Sequence, residues 1–149
     1  MHELFSAPGQ TLELTLFYKM EKTASGQSIP FVISEEEYNK AKVDDEMKDK
    51  VRSIKTEWVQ PSWKTGNDIL QSSTQWNYHA QDDTVNWNSY RDKRLKMLLV
   101  GWDVKDKDGN PIPCNEDTIN MLHQNIALAL LKKYDKATKV EKEEEIGRA

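Results

Sequence analysis

The chain has 149 residues, 31% of them charged and 37% apolar, with a formal net charge of -4 and a pI of about 5.4. That is the size of one ordinary domain with a modest core, too aromatic to be fully disordered and without general attraction for phosphate backbones or anionic lipid. The single cysteine, Cys114, excludes an internal disulfide, and no apolar run approaches the roughly 18 residues that span a bilayer. The first residues lack the basic and apolar blocks of a secretory signal, so a cytoplasmic, non-membrane protein is expected.

Leu12, Leu14 and Leu16 alternate with Glu13 and Thr15, the period-two pattern of a half-buried strand, and a second strand is expected over residues 29–33. The polar connector between them, residues 21–28, contains Gly26 and suits an open hairpin. Ser34 followed by Glu35, Glu36 and Glu37 is a helix-start signal with a capping box. A helix there would carry only Tyr38, Ala41, Val43 and Met47 as apolar residues, so most of its surface would face water. Residues 51–59 are divided between strand and continued helix, and their β-branched side chains favour strand. Pro61 ends that element, and Ser62 can cap a helix bearing Trp63, Ile69 and Leu70. Residues 71–88 are Gln, Ser, Thr, Asn and Asp with Trp76, Tyr78 and Trp87 embedded, and read as a loop.

Residues 90–131 read as helix, tight turn, helix. Leu95, Leu98, Leu99 and Trp102 fall at i, i+3, i+4 and i+7, one face of a helix. The connector gathers Asp106, Asp108, Gly109, Asn110, Pro111 and Pro113, residues that reverse a chain. Asn115 can then cap a second helix, with Glu116 and Asp117 at its positive end and Ile119, Leu122, Ile126 and Leu130 along one stripe. The expected fold is α+β, mainly α. An N-terminal β-hairpin region over residues 1–34 precedes a mainly helical body over 35–134, built on an antiparallel helical pair. A charged C-terminal tail follows over 135–149, where Val140 and Ile146 bury little.

Catalytic and metal signatures are weak. Gly109 placed as the invariant glycine of a calcium loop puts Val104 at the first ligand position and Asn115 at the last, where a carboxylate is required. His2, His79 and His123 lack the short spacing of zinc ligands; His79 with Asp82 and Asp83 reads as a solvated group. A helix N-terminus beside Cys114 would favour its thiolate, but no adjacent base accompanies it. No Gly-rich phosphate loop, Ser-centred elbow or spaced carboxylate pair calls for an enzyme, and no cofactor is expected. The five tryptophans are abundant. Trp102 completes the helical stripe and is assigned to the core. Trp58, Trp63, Trp76 and Trp87 are the candidate partner-binding residues, since exposed indoles anchor interfaces.

The central stretch Arg91-x-x-Arg94-Leu95-x-x-Leu98-Leu99-x-x-Trp102-Asp103 is followed by Asp108-Gly109-x-Pro111-x-Pro113 and by Glu116-x-x-Ile119-x-x-Leu122 with Ile126-Ala127. Together with Trp58-x-x-Pro61-x-Trp63, it resembles the tail assembly chaperones of long-tailed bacteriophages over residues 51–134. The pattern departs from that family where Asn115 replaces Ser or Thr and where proline is missing near His123. The resemblance implies a small, mostly helical, non-enzymatic protein that binds the tape measure protein in the host cytoplasm while tail tube protein gathers. Some members are also made in a longer form by ribosomal frameshifting. The alternative is a structural component of the virion, in the tail, neck or baseplate. A homo-oligomer is compatible with either, and nucleic acid ranks below both.

Overall fold

A computed structural model describes residues 3–6 and 10–139. Strands β1 (Leu12–Lys22) and β2 (Ser28–Ile33) form the expected antiparallel hairpin, in register from Phe17 opposite Ile33 to Lys22 opposite Ser28. Gly26 supplies the positive φ of +86° that closes the turn. Helix α1 (Glu35–Lys42) starts where Ser34 accepts a hydrogen bond from the Glu37 N–H. Strand β3 (Val51–Trp58) follows, then α2 (Trp63–Ser72), capped by Ser62 on the Thr65 N–H.

Beyond α2 the sequence expectations need correction. Residues 71–88 are not a loop, since β4 (Thr74–Asn77) and β5 (Asp82–Val85) pair as an antiparallel hairpin. Their Thr, Trp and Val residues favour strand. Neither face of the pair is fully buried, which is why no apolar alternation marks it in the sequence.

Residues 90–131 do not form an antiparallel helical pair. Helix α3 (Trp87–Leu98) stops at Leu98, and Leu99 enters the extended strand β6 (Leu99–Trp102). β6 pairs with β3, placing Trp58 opposite Leu99 and Thr56 opposite Trp102. Leu98 and Leu99 are both buried, so the spacing that reads as one helical stripe is shared by a helix and a strand. The second helix is also divided, into α4 (Glu116–Asn120) and α5 (Gln124–Thr138), with His123 at an extended ψ of 140° between them.

The four strands run in the order β2-β1-β3-β6, so the fold is mixed α and β rather than mainly α. No described helix is long and apolar enough to cross a membrane. Of the tail expected over 135–149, residues 140–149 lie outside the described residues.

The chain divides into two compact units. The first comprises residues 56–121 with the described residues up to 13, and its apolar core is Trp58, Ile69, Leu95, Leu98, Leu99 and Ile119. Within it, Asn115 and Thr118 cap α4 reciprocally, each side chain accepting the other's backbone N–H. The second comprises residues 14–55 and the described residues from 122 onward, with a core of Leu16, Ile33, Val51, Ile54, Ile126, Leu130, Leu131 and Tyr134. Here α5 packs on β2, and the Asn125 side-chain amide donates to the Pro30 carbonyl at 2.6 Å. That bond satisfies an edge-strand acceptor that would otherwise need water.

Leu98 and Leu130 are each only 1% exposed, one in each unit. Leu98→Ala and Leu130→Ala should each cost about 2–5 kcal/mol, the usual loss on truncating a buried leucine. Denaturant unfolding of the single variants checks this, and losses under about 0.5 kcal/mol would mean these faces are not packed.

Candidate protein-binding surface

In the first unit a β-hairpin is inserted between two helices. α2 ends because hydroxyl groups take its last carbonyls: Ser73 donates to Ile69 O at 2.8 Å and Thr74 to Leu70 O at 2.8 Å. Asn86 then donates its backbone N–H to Ser73 O at 2.7 Å, closing the base of the hairpin, while its side chain accepts from the Ser89 N–H and caps α3. At the tip the Asn77 side chain accepts from the N–H groups of His79 and Ala80, and Gln81 adopts a φ of +51°. Short polar residues thus fix both ends of β4–β5 without a buried face.

This framework carries three exposed aromatics. Trp76 on β4 is 50% exposed, Tyr78 beside the tip 83% and Trp87 at the start of α3 63%. Trp76 and Tyr78 meet edge to face at 6.4 Å, and Trp87 and Tyr90 at 5.4 Å. The Arg94 guanidinium lies over the Tyr90 ring at 5.4 Å, so Trp87, Tyr90 and Arg94 form a line along α3 at i, i+3 and i+7. Tyr78 and Tyr90 belong to this surface although sequence reasoning did not single them out. For Tyr90 the available signal was its helical spacing from Trp87.

The four candidate indoles are not one cluster. Trp76 and Trp87 lie on the hairpin and at its base. Trp63 is exposed as well, but it stands at the opposite end of α2, ten residues long, or about 15 Å from that base. Trp58 is not a surface residue. It is 0% exposed, and its indole N–H donates to Thr56 Oγ1 at 2.7 Å, as an indole removed from water requires. Trp102, expected on a helical core stripe, is half-buried on β6 with its N–H on Ile112 O at 2.7 Å.

The other candidate chemistry is absorbed by local structure. Asp106 accepts from the backbone N–H groups of Asp108 and Asn110, both at 2.9 Å, and Gly109 turns the chain at a φ of +82°. Among the described residues no three His, Cys, Asp or Glu side chains are grouped to hold a metal ion. Cys114 reverses its expected sign, since burial pushes its thiol up rather than a helix end pulling it down. A raised pKa leaves less thiolate at any given pH, so alkylation of the native chain at mildly alkaline pH should run slower than in denaturant. Equal rates would contradict that burial.

The exposure pattern predicts a split among the tryptophans. Trp63→Ala, Trp76→Ala and Trp87→Ala should each change stability by less than about 1 kcal/mol, whereas Trp58→Ala should cost about 3–5 kcal/mol. Thermal or denaturant unfolding of the four variants measures it. Comparison of the chain with protein-family models, curated proteins and solved structures returns no match.

Proposed function

We propose that this protein is a tail assembly chaperone-like protein of a long-tailed bacteriophage. It binds the apolar, helical tape measure protein and keeps it soluble in the host cytoplasm until tail tube protein assembles around it, with no catalytic step of its own. The observation that carries the reading is the exposure of Trp76 and Tyr78 on the hairpin and of Trp87 at its base, which the Asn86 N–H to Ser73 O bond closes. Exposed aromatics of this density anchor protein interfaces. The residues behind the family resemblance support it differently. Leu95, Leu98, Leu99 and Ile119 are buried, so that pattern is the packing that carries the surface rather than the surface itself.

The rival reading, a tail, neck or baseplate component, differs in fate. A structural component is present at fixed stoichiometry in purified mature particles, whereas a chaperone is left behind. Protein analysis of particles beside a pull-down from infected cells separates the two.

At the level of binding, Trp76→Ala or Trp87→Ala should weaken association with a tape measure fragment by about 2 kcal/mol while the fold stays intact. That association should respond only weakly to salt. A nucleic-acid binder would lose affinity steeply as salt rises, because counterions are released when cationic side chains neutralise phosphates. Titrating the fragment and a single-stranded oligonucleotide at low and high salt checks this. Steep salt dependence with the oligonucleotide and no binding of the fragment would overturn the proposal.

A further inference from the structure

From Thr65 through Tyr90 the chain contains no Lys or Arg, although 31% of its residues are charged. Its charges there are Asp68, Asp82 and Asp83. Asp68 is neutralised by Lys64 at 2.7 Å, whereas Asp82 and Asp83 are exposed and have no ion-pair partner among the described residues. Basic residues resume on α3 with Arg91, Lys93 and Arg94, so the negative character is confined to the hairpin and its base.

The register joins this charge to the aromatic surface. Asp83 lies directly opposite Trp76, so carboxylate and indole leave the same face of the two-stranded sheet. The face of an indole ring carries negative quadrupole charge, and a neighbouring carboxylate adds to it. Both groups are complementary to the same kind of ligand, a planar cation that can stack on one and hydrogen-bond to the other. A guanidinium meets that description and an ammonium does so only in part.

We infer that Trp76 and Asp83 receive an arginine side chain from an amphipathic partner segment, the guanidinium stacking on the indole and pairing with the carboxylate. Trp87 at the hairpin base then takes the apolar side chains of the same segment. The inference rests on the reading of this surface as a protein-docking face, and it adds the chemical class that the face selects.

The test uses the full chain and three synthetic amphipathic peptides of about 20 residues that share one Leu-rich face and carry Arg, Gln or Glu on the other. Calorimetric titration at low ionic strength should rank them Arg, Gln, Glu, with the Arg peptide about tenfold tighter than the Gln peptide. Asp83→Asn should cut that ratio about fivefold and leave the Gln peptide unchanged. Trp76→Ala should weaken the Arg peptide about tenfold, and Trp76→Phe should restore much of the loss because a π face remains. Equal binding of the Arg and Glu peptides, an Arg-to-Gln ratio unmoved by Asp83→Asn, or no binding of any peptide would overturn the inference. The two readings fail separately. Arginine preference without binding of a tape measure fragment would remove the chaperone reading alone, and fragment binding with no arginine preference would remove this one alone.

Discussion

The burial of Trp58 is the constraint on which the rest of the site depends. A fully buried indole must find an acceptor for its N–H, and Thr56, two residues earlier on the same face of β3, provides it at 2.7 Å. The strand that results buries Ile54, Thr56 and Trp58 while Lys55 and Glu57 face out. It also needs a neighbour for its backbone, and residues that would otherwise continue α3 supply one as β6. Ending α3 at Leu98 seats Leu95 and Leu98 in the core. The other end of that helix, with Trp87 and Tyr90, stands beside the base of the hairpin.

Local signals in the sequence were legible where one residue acts on its immediate neighbours. The caps at Ser34, Ser62 and Asn115, the turn at Asp106 and Gly109, and the alternation of β1 each depend on a few adjacent residues, and each forms as the chemistry of those residues dictates. Signals that depend on distant partners were misread. The run Leu95, Leu98, Leu99, Trp102 satisfies helical spacing, but Leu99 through Trp102 is drawn into a sheet by β3, and no local rule foretells that pairing. The hairpin β4–β5 was invisible for the opposite reason. It is held by hydrogen bonds at its base and tip instead of by burial, so its sequence carries no hydrophobic period.

The candidate surface was half legible. An indole in polar surroundings was reason enough to mark Trp76 and Trp87, and both are exposed. Polarity of neighbours could not separate Trp58 from them, because Lys55 and Glu57 flank it in sequence while facing the other way on the strand. Nor does composition reveal that Asp83 stands across from Trp76, which follows only from the register. A scaffold that holds aromatic side chains in water benefits from placing them on a short hairpin with fixed ends, since less backbone freedom then remains to be lost on binding.

Hydrogen–deuterium exchange of the full chain, with and without a tape measure fragment, tests the central claim most directly, because it locates the contact without altering a residue. The account predicts that added protection concentrates over residues 74–90, the hairpin and the first turn of α3, where backbone amides otherwise exchange through local opening. Protection confined to residues 14–55, or none at saturating fragment, would contradict it.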